Sequence, residues 1–376
     1  MLRSQRAALP LLLCAATLSA APSHPSKIDA KVKAITKSAI LIDTHNDIPS
    51  FTIDGIDIGN APKNETDIPR LEKGGVGAIF FSVYVSSKYV EGNHSANRAL
   101  QMIDTVKQDI INRYPETFQL ALTADDILKA HKKHKIAALM GLEGGHAIED
   151  SSRLLRDYYR LGIRYMTLTH TNTNGWADSS GDINKPEIQH HNGLTPFGKD
   201  VVHEMNRLGM MVDISHVADK TFFDALDASE APLLASHSSA RAVTNVPRNM
   251  TDDMIRALAH KGGIIQINFY CNFINQQAAD APKNTPVHAA LADVVAHIDH
   301  VRQVAGIDAI GIGTDFDGIE CAPEGLEDVS KFPNLTRALL EKGYSPADIK
   351  KIYGGNTLRL MHQVEKVAAG LQHAGR

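Results

Sequence analysis

Eight short apolar runs, alternating with stretches of helical spacing, constrain this chain more than any other feature of it. The runs are 39–43, 76–85, 136–142, 163–169, 210–214, 232–235, 263–269 and 309–313. Short continuous apolar runs of this kind read as strands buried on both faces. Between them lie helical patterns over 97–113, 151–161, 195–208, 251–259, 287–304 and 346–364. Ser151, Thr195-Pro196 and Thr251 stand at helix starts. Gly162, Gly209 and Gly262-Gly263 stand where a helix stops and the next strand begins. Strands that alternate with helices predict a parallel sheet, because a parallel crossover needs a helix-length connection. Eight of them are the number that closes a (β/α)8 TIM barrel, and 376 residues exceed the roughly 250 typical of that α/β fold. A doubly wound open sheet is the alternative. It would normally carry a Gly-rich phosphate turn after its first strand, where this chain has Thr44-His45-Asn46-Asp47. No linker or composition break divides the chain, so a single domain is expected over 22–376.

The N-terminus reads as a signal peptide over 1–21. Arg3 and Arg6 precede an apolar stretch from Ala7 to Leu18, and Ser19-Ala20-Ala21 offers small residues for cleavage. The chain is therefore expected to be exported, to a periplasm or to the medium. The apolar stretch is too short to span a bilayer, and the 364–376 segment is too polar for a lipid-anchor signal, so no membrane anchor is expected. A net charge of −4 without blocks of like charge argues against a nucleic-acid partner. Beyond the signal the cysteines are Cys271 and Cys321, which an oxidising compartment would allow to pair.

Side chains at i and i+2 of an extended segment point the same way. His45 and Asp47, at the end of the first run, can therefore reach one point in space, as two ligands of one ion must. In a barrel enzyme the active site lies at the C-terminal ends of the strands. Those ends carry Glu143, His170, His216, His237 and Asp315 as well. A single histidine there would be an ordinary core residue. Four histidines with three carboxylates at the same end of successive strands suit two divalent ions, with about four terminal ligands and one bridging carboxylate. His45 and Asp47 could hold one ion, His216 and His237 the other, and Glu143 could bridge them. Nitrogen and oxygen donors without thiolate favour zinc, with manganese or cobalt as alternatives.

At this point the chain resembles the membrane (renal) dipeptidase family, metallopeptidases of the amidohydrolase-type barrel superfamily. The resemblance rests on His45-Asn46-Asp47, Glu143-Gly144-Gly145-His146, Leu168-Thr169-His170 with Trp176-Ala177-Asp178, and Asp213-Ile214-Ser215-His216. It continues through Ser236-His237-Ser238-Ser239-Ala240, Arg248-Asn249, Gly313 to Gly318, and Pro323 to Ser330. The resemblance implies a two-zinc dipeptidase with dipeptides as substrates and a homodimer as one possible assembly. It implies that His45 and Asp47 ligate the first zinc, that His216 and His237 ligate the second, and that Glu143 bridges. His170 and Arg248 resemble the substrate-binding pair, and Asp315 the carboxylate beside the bridging water. His146 is left outside the site.

The expected chemistry is hydrolysis of a dipeptide by a zinc-bridged hydroxide, with a D-residue at the C-terminal position as an accepted variant. Asp315 would take the water's proton and pass it to the leaving amine. His170 would stabilise the oxyanion, and Arg248 would bind the substrate carboxylate. One rival is another hydrolase of the superfamily, acting on a lactam, lactone or non-peptide amide. A second is an exported binding protein that keeps the barrel without turnover.

Overall fold

The computed structural model describes residues 27–282 and 285–374. The signal expected at 1–21 lies outside the described residues. Among the described residues there are nine strands: β1 (Leu41–Asn46), β2 (Val76–Tyr84), β3 (Phe118–Leu120), β4 (Ile136–Glu143), β5 (Ile163–Thr167), β6 (Met211–Asp213), β7 (Leu234–Ser238), β8 (Ile264–Ile267) and β9 (Ile310–Ile312). Eight of them close a parallel ring in the order β1-β2-β4-β5-β6-β7-β8-β9, with β9 pairing back to β1. This is the expected (β/α)8 barrel. β3 is the extra strand. It pairs with residues 136–138 of β4, below the point at which β5 begins its own pairing at Met140.

The barrel wall separates two layers of core by strict alternation. Ala78 and Phe80 of β2, with Ala137 and Leu139 of β4, pack inward together with Ile42, Tyr165, Met211 and Ile264. Ile79, Phe81, Ala138 and Met140, one residue out of phase, pack in the other layer with helix residues such as Met102 and Val202. This period-two split is what a wall buried on both faces requires. The C-terminal helix, Asn356–Ala374, closes the N-terminal end of the barrel. Its Leu360, Met361 and Val364 join the inner cluster.

Several boundaries differ from the sequence reading, among them β7, expected at 232–235 and found at Leu234–Ser238. β1 runs on to Asn46 instead of stopping at Asp43, because its polar residues find buried partners on both sides of the wall. Thr44 Oγ1 donates to the carbonyl of Ser236 at 2.7 Å, and Asn46 Nδ2 donates to Thr66 Oγ1 at 2.8 Å. The helix expected over 97–113 is α-helical over Ser95–Thr105 and then widens into a π-turn over Val106–Ile111. The stretch expected over 346–364 divides into Pro346–Lys350, a π segment Lys351–Gly355 and the C-terminal helix. Caps follow the sequence at Thr195 and Thr251, whose side chains accept from the Gly198 and Met254 amides, but Ser151 makes no cap bond. Cys271 and Cys321 form a disulfide that ties the loop after β8 to the loop after β9.

Candidate metal centre

The pairing of β1 slips between Asp43 and Asn46, and this irregularity turns His45 into the mouth of the barrel. The His45 ring stacks on that of His237, with centroids 3.8 Å apart. Its Nε2 lies 3.2 Å from Asp47 Oδ2 and 3.4 Å from Glu143 Oε2. Asn46 turns away, with its amide on Thr66. The loop after β9 is zipped to the same place: Asp315 N donates to the His45 carbonyl and Asp47 N to the Phe316 carbonyl. Asp315 holds a left-handed φ of 65°, and His216 one of 66°. A non-glycine residue pays strain for that conformation, and such strain gathers at functional sites. Both carboxylates also need Gly318, since a Cβ there would lie 2.5 Å from Asp47 Oδ2 and 2.8 Å from Asp315 Oδ1.

Glu143 ends β4 and stands at the centre. Its Oε1 is 3.0 Å from His216 Nε2, 3.4 Å from His237 Nε2 and 3.8 Å from His170 Nε2, while its Oε2 faces His45. The two oxygens of one carboxylate thus address different imidazoles, His45 on one side and His216, His237 and His170 on the other. Three sets of donors come within the reach of one ion each: His45, Asp47 and Glu143; Glu143, His170 and His216; and His45, His237 and Asp315. His237 stands between the two sides, 2.9 Å from His216 across their Nε2 atoms.

The electrostatics favour positive charge in the middle. Burial pulls His45 down, but Tyr165, Glu143 and Asp47 outweigh it and hold the ring well above the usual histidine range. Burial pushes Glu143 up, yet the surrounding His45, His170, His216 and His237 hold it well below the usual carboxylate range. Burial raises Asp315 to about 7; His45 opposes the rise and Asp47 and Glu143 reinforce it. Burial keeps His170, His216 and His237 neutral by lowering all three. His45 Nε2 is buried with no hydrogen-bond partner. Crowded carboxylates, neutral imidazoles and an orphaned ring nitrogen fit divalent cations, and the nitrogen-and-oxygen donor set fits zinc.

Arg248 is held at the rim. Its Nη1 donates to Ser238 Oγ at 2.8 Å and its Nη2 to the His237 carbonyl at 2.6 Å, while Nε is buried and unpaired. Burial lowers it to about 10, so it stays charged near neutral pH. The polar loop over 172–192 braces the ligands from outside: Ser179 Oγ bonds the His170 carbonyl, and Ser180 N donates to that of His216 at 2.8 Å. Every residue proposed for the site from sequence is therefore brought to the barrel mouth. His146 is buried beside it, and burial lowers its ring to about 4.

Sequence reading missed the residues behind the ligands. Tyr165 Oη sits 2.8 Å from His45 Nδ1, Ser236 Oγ 2.7 Å from His237 Nδ1, and Ser82 Oγ 3.3 Å from Glu143 Oε2. Asn268 Nδ2 donates to Asp315 Oδ2 at 2.8 Å. Tyrosine and serine in apolar strands look like core residues, and only Asn268, polar at the end of a buried run, gave a signal.

A family model described as membrane dipeptidase (peptidase family M19) matches residues 29–375. The chain belongs to this family. Dipeptidase tcpJ of Claviceps purpurea is 42% identical over 309 residues, covering 81% of this chain and 70% of that protein. Dipeptidase verJ of Clonostachys rogersoniana is 39% identical over 351 residues, covering 89% and 87%. A metallo peptidase of Rhodobacter sphaeroides, solved with a phosphinate mimic of the dipeptide L-Ala-D-Ala, matches with a TM-score of 0.76 at 26% identity. That match covers 87% of this chain and 100% of the other. Among the described residues, no helix of this M19 chain is long and apolar enough to cross a membrane.

Proposed function

We propose that this chain is a two-zinc dipeptidase that cleaves the peptide bond of free dipeptides and accepts a D-residue at the C-terminal position. The observation that carries the reading is Glu143, whose two oxygens face separate histidine groups as a bridging carboxylate does. His45 and Asp47 would hold one zinc, and His216 and His237 the other. Bound there, the ions would make hydroxide available near neutral pH and polarise the scissile carbonyl. Asp315 would accept the attacking water's proton and return it to the leaving amine, a role supported by Asn268, which holds its second oxygen. His170, neutral and half-open to the mouth, offers a ring N–H to the oxyanion.

Arg248 sets the length of the substrate. Two of its nitrogens are anchored on Ser238 and His237, which leaves the buried Nε side to pair with a carboxylate. A fixed guanidinium this close to the centre suits a carboxylate one residue beyond the scissile bond, as in a dipeptide. Support for the D-residue comes from the Rhodobacter relative and its L-Ala-D-Ala mimic.

The test is metal analysis with L-Ala-L-Ala and L-Ala-D-Ala hydrolysis, before and after chelation. Two zinc ions per chain, with activity lost on chelation and restored by zinc, are expected. No bound metal and no metal-restored cleavage would overturn the reading. Asp315→Asn with both ions retained should lower kcat by about 10²–10⁴-fold; near-normal turnover removes Asp315 from proton transfer. We also propose export through the N-terminal leader, for which a mature N-terminus just after Ala20 or Ala21 in the exported protein is the measurement.

A further inference from the structure

We propose that Tyr165 and the Asp213–Ser236 pair are positioning residues that set the ring tautomers of His45 and His237. They thereby fix which nitrogen each ring can present to a cation. The inference rests on the two-cation reading above.

The Tyr165 hydroxyl has a single proton. It lies 3.0 Å from the Thr44 carbonyl oxygen and 2.8 Å from His45 Nδ1. A carbonyl can only accept, so the hydroxyl donates there and must accept from the imidazole. His45 Nδ1 therefore carries a hydrogen. When the ring gives up its other proton to take a cation, the lone pair is left on Nε2, the atom that faces Asp47 and Glu143.

The same logic runs through a different pair of groups at His237. Ser236 Oγ lies 2.6 Å from Asp213 Oδ2 and 2.7 Å from His237 Nδ1. The fully buried Asp213 carboxylate also accepts from Ser236 N at 2.8 Å, Ser215 N at 3.1 Å and Thr167 Oγ1 at 2.5 Å. A carboxylate that gathers donors accepts a hydrogen bond from the serine hydroxyl as well. Ser236 then accepts from His237 Nδ1–H, and the lone pair again points to the centre from Nε2. A carboxylate that reaches a ligand ring in this way also raises the ring's basicity.

The barrel makes room for the first lock. Tyr165 stands opposite Gly141 in the β4–β5 pairing, and a Cβ at 141 would lie 1.9 Å from the tyrosine ring. Only glycine there lets the ring lie inside the barrel with its hydroxyl under His45. Filling the core would not require the hydroxyl. The two locks come from different strands and serve different rings, so their effects are separable.

The experiment uses full-length protein and zinc alone. Zinc affinity is read by chelator competition, and occupancy at each position by anomalous diffraction at the zinc edge under limiting zinc. Tyr165→Phe should weaken binding about 10–100-fold at the His45–Asp47 position and leave the other filled. Ser236→Ala should do the reverse. Asp213→Asn, of the same shape as aspartate, is the second variant for the same link and should also empty the His237 position first. A merely structural role would lower the melting temperature of the metal-free protein and weaken both positions alike. That pattern, or unchanged affinity in all three variants, overturns the inference. Failure of the wild-type chain to bind two ions would instead sink the two-cation reading.

Discussion

The two ends of the barrel bury polar groups in opposite ways. At the N-terminal end they close on protein: Asn356 Nδ2 donates to the Ile307 and Ile310 carbonyls, Gln266 Nε2 to Thr357, and Arg164 Nε to the Leu122 carbonyl. Around them Ile42, Leu139, Leu360 and Met361 fill the interior. At the mouth, Asp47, Glu143 and Asp315 crowd against four imidazoles, and His45 Nε2 finds no partner. Buried polar groups are normally satisfied. The donors named at the closed end are met by protein atoms, though Gln266 Oε1 is itself unpaired, whereas the unmet groups of the mouth converge where cations would satisfy them. Fold stability should therefore reside at the closed end and chemistry at the mouth, a division expected of barrel enzymes.

The harshest test of that division is Glu143→Ala. Removing the carboxylate that stands between the two histidine groups should cut dipeptide hydrolysis by at least ~10³-fold, about what one preorganised electrostatic contact can carry. Zinc stoichiometry should fall with it. A variant that keeps two ions and a tenth or more of wild-type turnover would show that Glu143 does not bridge.

How far the sequence reached follows the same division. The eight barrel strands were legible because a wall buried on both faces is apolar along most of its length, as Val76 to Phe81 and Ile136 to Leu142 are. β3 was not, since Phe118–Leu120 is too short for a pattern and pairs only along the foot of β4. The ligands were legible because His45 and Asp47 break an apolar run at its end, where a core has no use for them. Asn46 between them does turn away, as alternation requires. Tyr165, Ser82 and Ser236 were hidden because their roles depend on a partner across the barrel, which spacing along one strand cannot reveal. Asp213 stood in plain sight, but its hydrogen bond to Ser236 depends on the β6–β7 neighbourhood.

At the closed end the test is Leu360→Ala. Leu360 is fully buried against the inner core, and the cavity left should cost about 2–5 kcal/mol. Urea unfolding measures that cost, while kcat and zinc content at moderate temperature should stay at wild-type values. A loss of turnover in the folded variant would mean that the two ends are not independent.

The smallest effect sharpens the comparison at a single residue type. His297 is as fully buried as His45, yet both of its nitrogens are met by protein. Its Nδ1 accepts from Ala240 N at 3.0 Å and its Nε2 lies 3.2 Å from the Ile274 carbonyl, so the ring is neutral with its hydrogen on Nε2. Burial foremost pushes it down to about 4; the Ile274 carbonyl and Asp293 oppose the fall and His300 adds to it. The unfolded chain takes up a proton at this residue near 6.5, the folded chain only near 4. The stability this histidine confers is thus full above 6.5 and lost as pH falls from 6.5 toward 4, by about 2 kcal/mol at pH 5. Urea unfolding of the metal-free wild type and of His297→Gln at pH 7 and pH 5 should show the variant losing about 2 kcal/mol less over that interval. Equal losses in the two proteins would place the acid sensitivity elsewhere. His297 closes both nitrogens on protein and belongs to the scaffold, whereas His45 leaves its inward nitrogen open at the mouth.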